Sequence, residues 1–254
     1  MKAFHTLWTK PRGTDKIEEF EFLTMILSAL KWRQKNGEIF LVTDENGKKF
    51  IKDKGAENIW DGIITALDNM PDSINPKTFW AAGKIFALDS FKAPVVSIDN
   101  DFIVWENLYL DKNISKLSVI HKEELNLYVY PNKDFLREFD RGYDWSVKPS
   151  NTAFVYYGDE ELKENYKNLS LEVMTTLKSD DTLVPMVFAE QRLLSMVANK
   201  MGIRVDTFST LKNLQKMDRR FTHLWGYKQK LKNNSPMKEE FTKRLQNKIK
   251  TEFF

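Results

Sequence analysis

The sequence predicts an α/β fold, a mixed and mostly parallel sheet flanked by helices, with a C-terminal amphipathic helix. Three observations support this. Short apolar runs rich in β-branched residues end in polar turn residues at 2–8, 38–43 and 94–98, as buried strands do. Helical periodicity fills the intervals, and such alternation favours parallel pairing with helices on both faces. Beyond residue 108 strands follow one another directly, which implies a second, α+β half. With 254 residues, 42% hydrophobic and 13% aromatic, and no Pro/Gly/Ser-rich linker, the simplest organisation is one domain over 1–254. It divides into halves at 1–108 and 109–230 and a basic helical tail at 231–254.

Residues 2–8 form the first strand, and Lys10, Pro11, Arg12 and Gly13 a basic turn at its end. Ile17, Phe20, Leu23, Ile26, Leu27 and Leu30 then recur at helical spacing until Gly37 ends the run. Residues 38–43 give a second strand, Asp44-Glu45-Asn46-Gly47 a turn cluster, and the vicinity of Ile59 and Trp60 another strand. Pro76 suits the start of a helix running through Leu88, with Lys84 inside it. After the strand at 94–98, residues 116–121, 125–130 and 151–157 read as strands. Leu162, Tyr166, Leu169, Val173, Met174 and Leu177 mark one helix; Leu193, Leu194, Val197 and Ala198 mark a second that opens near Glu190-Gln191. Residues 206–214 form a strand or loop. In the tail Met237, Phe241, Leu245, Ile249 and Phe253 recur every four residues, which predicts an amphipathic helix.

Composition removes several chemistries. Without cysteine there is no thiol catalysis, disulfide, zinc ribbon or iron–sulfur cluster. Imidazole chemistry has only His5, His121 and His223 to draw on. A formal charge of +3 is too slight to favour nucleic acid. No stretch approaches the roughly 18 uninterrupted apolar residues that span a bilayer, and the first residues lack a signal peptide's apolar core, so the expected address is cytoplasmic. Thr9-Lys10-Pro11-Arg12-Gly13 is not the glycine-rich phosphate loop of a nucleotidyltransferase, nor the Gly-x-Gly-x-x-Gly of a dinucleotide-dependent oxidoreductase.

Chemistry concentrates where the strand at 94–98 runs into Asp99-Asn100-Asp101. Residues i and i+2 share a face of extended chain, so both carboxylates can converge on one hard cation, Mg²⁺ or Mn²⁺. A turn-capping Asp99 beside a solvated Asp101 is the plainer alternative. Lys84 either snorkels to solvent or aims its ammonium at a phosphate or sugar oxygen. Glu190 is either an ordinary first-turn acid or a site residue. His223, Gly226 and Lys228 stand within six residues, a set suited to a metal-bound diphosphate: imidazole to the cation, backbone and ammonium to phosphate oxygens.

Together these blocks resemble the metal-dependent GT-A-fold glycosyltransferases that use nucleotide sugars, above all family 8 and the capsular-polysaccharide type. The strand ending in Asp99-Asn100-Asp101-Phe102-Ile103-Val104-Trp105, preceded by a helix bearing Lys84, resembles their Asp-x-Asp block. Asn151-Thr152-Ala153-Phe154-Val155 is similar to their acceptor-side strand, Glu190-Gln191 to their acidic-Gln pair, and His223-x-x-Gly226 to their late metal-and-phosphate loop. Block order and gaps agree over residues 3–230. Two positions depart from the pattern: Lys228 follows Gly226 by two residues where family 8 usually has three, and Glu190 stands where Asp is usual.

The resemblance implies Asp99, Asp101 and His223 as ligands of Mn²⁺ or Mg²⁺. It implies Lys84, Asp99, Asn100, Asn151, Gly226 and Lys228 as contacts of a nucleotide sugar, with a UDP sugar favoured, and Glu190 and Gln191 as the catalytic pair. Residues 1–108 would form the nucleotide-binding half and 109–230 the acceptor half. Residues 5–10 would meet base and ribose, with Trp8 or Phe4 either stacking on the base or sitting in the core. The implied activity is hexosyl transfer to a hydroxyl of a saccharide or glycolipid acceptor, in polysaccharide or glycolipid synthesis, with no nucleic acid as partner. A non-catalytic relative that binds a sugar nucleotide or acts through protein contacts is the alternative. The tail carries eight Lys or Arg against two Glu between Lys228 and Lys250. It is either a surface helix packed on the domain or a weak peripheral contact with the inner face of a membrane holding a lipid-linked acceptor.

Overall fold

A computed structural model describes residues 1–112, 115–134 and 139–253. The chain opens with β1 (Ala3–Leu7), α1 (Glu19–Lys35), β2 (Ile39–Thr43), α2 (Glu45–Asp53) and β3 (Gly62–Ile64), whose strands pair in parallel. α3 (Ala82–Phe86) leads into β4 (Val95–Ile98), parallel to β1, and then the short β5 (Phe102–Val104). β6 (Leu117–Lys122), β7 (Ser150–Tyr157), α4 (Glu160–Thr176), α5 (Val184–Val187) and α6 (Leu193–Lys200) follow. The chain closes with β8 (Val205–Thr207), α7 (Leu211–Lys216), β9 (Phe221–His223), α8 (Tyr227–Lys232) and α9 (Ser235–Phe253). The main sheet has seven strands in the order β3-β2-β1-β4-β7-β6-β8, with β7 alone antiparallel to its neighbours. β5 and β9 form a separate antiparallel ribbon.

Both faces of the main sheet are covered, which is why its strands are apolar at successive positions rather than alternating with polar ones. Ala3, Ile39, Leu41, Val96 and Ile98 join the core beneath α1 and α9, while Phe4, Val42, Val95, Val119 and Val155 join the core with α3, α4 and α6. Burying each such Val, Ile, Leu or Phe contributes about 1.5–3 kcal/mol, so α1 and α4 are held by their apolar stripes more than by helix propensity. Two polar contacts tie α1 to the strands that carry the site: Ser28 Oγ donates to the Phe102 carbonyl, and lies 3.0 Å from His5 Nε2.

Five expectations are corrected. Asp44-Glu45-Asn46-Gly47 begins α2 instead of forming a free turn: Asp44 Oδ1 accepts from Gly47 N at 2.8 Å, and Oδ2 accepts from Thr9 N and Oγ1. Residues 125–130 form a turn, because their alternation meets no core; Leu127 and Tyr128 are exposed. The third strand starts at Gly62, past the 3₁₀ turn that buries Ile59. The helix expected from Pro76 begins only at Ala82 and passes into a 3₁₀ turn at Ala87–Ser90. Residues 206–214 divide between β8 and α7.

The tail forms a helix that packs on the domain. Leu245 and Ile249 are buried, Phe241 meets the Phe20 ring edge-on, and Lys238 pairs with Glu18 at 2.7 Å. Arg244 pairs with Glu240, and Glu252 with both Lys31 and Lys248, so much of the basic charge is answered by acids. Among the described residues no helix is long and apolar enough to cross a membrane.

Candidate functional site

A cleft of about 700 Å³ opens beyond the carboxyl ends of β1 and β4, where parallel sheets expose backbone and turn side chains to ligands. Lys84, Asp99, Asn100, Asp101, Asn151, Glu190, Gln191, His223 and Lys228 all line it. Gly226 does not belong to this lining; it caps α8 with an ordinary right-handed backbone. The residue before it, Trp225, lines the cleft and takes the left-handed φ of 41°, an uncommon conformation for a bulky side chain.

Local structure explains the convergence. β4 ends at Ile98; Asp99 N then donates to the Ala153 carbonyl of β7, and Phe102 N closes a turn onto the Asp99 carbonyl. Asp99, Asn100 and Asp101 occupy that turn. Register pairs Phe102 with His223, and Leu224 N donates to the Asp101 carbonyl at 3.1 Å. The β5–β9 ribbon thus carries His223 to Asp101 across 122 residues of sequence. α8 adds Lys228, and α3 adds Lys84. Glu190 and Gln191 lie on a π turn, Phe188–Arg192, between α5 and α6, a local widening common at functional positions.

Asp99, Asp101 and His223 each offer one ligand atom, and the three atoms lie within 4.8 Å of one another. Two carboxylates and an imidazole suit Mn²⁺ or Mg²⁺, and His223 Nδ1 is buried without a hydrogen-bond partner. The residues fit such an ion. Lys84 Nζ contacts Asp99 Oδ1 at 2.6 Å and the Thr152 carbonyl at 3.1 Å, and ion-pairs with Glu190. Lys228 Nζ contacts Asp101 Oδ2 at 2.8 Å, and His223 Nε2 lies 3.7 Å from the same oxygen.

These contacts set the charges. Burial alone would lower the Lys84 ammonium's pKa, but the Asp99 and Glu190 carboxylates outweigh it and hold the pKa above the usual lysine range. Burial raises Asp101, and Lys228 with His223 more than reverse that, leaving it below the usual carboxylate range. Burial lowers His223, against the pull of Asp101 and then Asp99, which favours the neutral imidazole a cation needs.

Several contributors escaped sequence reasoning. Thr152 Oγ1 donates to Glu190 Oε1 at 2.7 Å, and Tyr166 OH donates to the Glu190 carbonyl. Tyr130 OH donates to Gln191 Oε1, and Asn151 Nδ2 donates to Glu123 Oε1 at 2.8 Å. None has a short-range motif. Thr152 alone lies within the Asn151–Val155 strand segment, next to Asn151.

The architecture defines a GT-A-like fold: a mostly parallel sheet between helices, with the Asp99-Asn100-Asp101 turn at the carboxyl end of its central strand, β4. A family profile matches residues 1–139, so the chain belongs to that family, described as a family of unknown function (DUF6734). A search of curated proteins finds no match. Among solved structures, the WbbM bifunctional glycosyltransferase in its apo form is 11% identical with a TM-score of 0.50; the match covers 96% of this chain and 51% of that one. This chain therefore spans about half the length of that protein. The PaToxG glycosyltransferase is similar at 10% identity and a TM-score of 0.49, over 79% of this chain and 69% of that one. Mouse xyloside xylosyltransferase 1 is similar at 10% identity and 0.48, over 82% and 85%.

Proposed function

We propose that this protein is a metal-dependent glycosyltransferase that moves a sugar, a hexose by the family resemblance, from a nucleotide diphosphate to a hydroxyl of a saccharide or glycolipid acceptor. The observation that carries the reading is the Asp99, Asp101 and His223 cluster flanked by Lys84 and Lys228 in one cleft. A UDP sugar is the favoured donor. Residues 1–108 hold most of the donor, 109–230 the acceptor together with the His223 and Lys228 contacts to the donor's diphosphate, and 231–254 form the helical tail. Mn²⁺ or Mg²⁺ held by Asp99, Asp101 and His223 supplies charge neutralisation at the diphosphate when bound.

In the transfer, the bond between the sugar's anomeric carbon and the diphosphate oxygen breaks as the acceptor oxygen bonds to that carbon. Negative charge gathers on the departing diphosphate, whose oxygen takes up the proton released by the acceptor hydroxyl. Lys84 and Lys228 present ammonium groups to that charge. Asn151 and Gln191 line the acceptor side, where the Gln191 amide can orient a hydroxyl. The Lys84 contact supports a positioning role for Glu190: its carboxylate is buried on Lys84 and Thr152, and so fixes the lysine.

Calorimetry with UDP, GDP and their sugars, with and without Mn²⁺, followed by detection of free UDP, tests the reading. Metal-dependent binding with slow hydrolysis or transfer supports it; absence of metal-dependent binding removes it. Binding with no turnover favours the second reading, a non-catalytic sugar-nucleotide-binding relative. One observation favours that alternative: Asp99, Asp101 and Glu190 each already have a lysine partner.

A further inference from the structure

We infer that the turn at 125–129 is a tip that enters a lipid–water interface and seats the acceptor side of the cleft on a membrane, so that the acceptor is a glycolipid and not a free saccharide. The choice of acceptor rests on the transferase reading above. Leu125-Asn126-Leu127-Tyr128-Val129 places four apolar side chains in five residues, and their alternation meets no core. Leu127 is 68% exposed and Tyr128 92% exposed, with Leu125 exposed beside them. Single exposed apolar side chains are ordinary, but a contiguous group on one projection marks a contact surface.

The turn is built to enter an apolar medium. An ordinary loop carries unpaired N–H groups, each costly to bring out of water. Here Asn126 answers three in a row: its Oδ1 accepts from Tyr128 N at 3.0 Å, and its carbonyl accepts from Val129 N at 2.9 Å and Tyr130 N at 2.7 Å. The acids at the base of the turn also have partners. Glu124 pairs with Lys148 at 2.8 Å, and Glu123 accepts from Asn151 Nδ2. The tip therefore offers leucines for the acyl boundary and a tyrosine whose ring is apolar while its hydroxyl stays among headgroups, the amphipathic arrangement found at membrane interfaces.

Position links the tip to the chemistry. Tyr130, which ends the turn, is buried, and its hydroxyl donates to Gln191 Oε1. The Pro131 carbonyl accepts from Arg192 Nη1 at 2.8 Å, and Arg192 is itself buried. The projection is thus fastened to the π turn that carries Glu190 and Gln191, and a lipid surface that holds the tip lies beside the acceptor side. A second copy of the chain fits less well. Three exposed side chains, none burying more than about 250 Å², fall short of the roughly 800 Å² per partner that a stable dimer buries. Residues 125–130 carry no charge, so the contact should depend on apolar burial and not on anionic lipid.

Co-sedimentation of the full chain with phosphatidylcholine vesicles, with and without phosphatidylserine, tests the contact. The parent is expected to bind the neutral vesicles, with little change when NaCl is raised. Leu127→Ser combined with Tyr128→Ser, both outside the core, is expected to lower that binding about tenfold or more, a factor that burial of one leucine side chain can supply. Circular dichroism and Mn²⁺-dependent UDP binding should stay as in the parent. A parent that ignores vesicles, or that binds only anionic ones and is released by salt, overturns the inference, as does equal binding by parent and variant. A dimer in sedimentation velocity that the variant loses overturns it in favour of a second copy. Vesicle binding that the variant loses, in a chain that binds no nucleotide, keeps the tip and removes the transferase reading and the acceptor with it.

Discussion

Asp99 and Asp101 leave the same turn one residue apart and enter opposite surroundings. At Asp99 the acid is open, 32% exposed, and its lysine is hidden: Lys84 is 11% exposed and also holds Glu190, which is 4% exposed. At Asp101 the acid is hidden, 13% exposed, and its lysine is open, with Lys228 38% exposed. Lys84 is thus built into the fold, whereas Lys228 is laid over it from the rim. The same net charge serves as scaffold on one side and as a replaceable cover on the other.

Removing Lys84 is expected to have the largest effect on stability. Lys84→Met strands Glu190 and deprives Asp99 of its partner, and breaking a buried ion pair in this way costs about 3–5 kcal/mol. Urea unfolding would show it as a lower midpoint. Adding Glu190→Leu to Lys84→Met should recover a good part of the loss, because the stranded carboxylate is then gone. If Lys84→Met melts like the parent, Lys84 is no scaffold and the contrast between the two acids collapses.

At the hidden acid the effect should fall on binding. Asp101→Asn and His223→Ala each remove a ligand and are expected to weaken Mn²⁺-dependent UDP binding by about 100-fold or more, beyond the loss typical of a supporting residue. Circular dichroism should stay native. Unchanged binding in both variants would falsify the metal assignment.

The histidines repeat the contrast between scaffold and site, and pH separates them. His5 is fully buried between Ser28 and Trp60, and burial pushes it down to about 3. Its unfolded form titrates near 6.5, so below that value the unfolded state binds the proton that the folded state refuses. Stability should therefore fall as pH drops from about 6.5 towards 3, by up to about 1.4 kcal/mol per pH unit. His5→Gln should flatten that limb of a pH–stability profile, whereas His223→Ala should alter it less. A profile identical to the parent's would mean that His5 is not held neutral.

Legibility in the sequence follows the range of the interaction. β1, β2, β4, β6 and β7, with α1 and α4, were readable because burial on both faces or on one stripe writes itself into local periodicity. The Asp99-Asn100-Asp101 turn, Glu190 and His223 were readable as residue types next to strand or helix ends, and the cleft gathers them. Asp44 misled because an Asp, Asn and Gly run signals a turn and a helix N-terminus alike; only its bonds to Thr9 and Gly47 decide. Residues 125–130 misled because alternation predicts a strand only where a core exists to receive one side. The Lys84–Glu190 pair joins positions 106 residues apart and left no local trace. Gly226 looked significant for its flexibility, yet the unusual backbone belongs to Trp225.

The smallest predicted effect is the most specific one. Lys228 is half-open and water can take its place on Asp101, so Lys228→Met should cost less stability than Lys84→Met, although the acid it leaves is hidden. Its consequence for ligands should reverse sign with the ligand. In the free protein the ammonium sits on Asp101 where a divalent cation would bring its own charge, so the variant should take up Mn²⁺ alone more tightly, by a few fold on the scale of about 1 kcal/mol. With UDP present, the diphosphate gives that ammonium a new partner, and the variant should then bind the Mn²⁺ and UDP pair less tightly than the parent. Such a reversal would mean that the ammonium opposes the cation alone and favours the diphosphate beside it. Two titrations, Mn²⁺ alone and Mn²⁺ with UDP, measure it. A variant weaker for both would mean that Lys228 only supports the turn, and one stronger for both would mean that it never reaches the diphosphate.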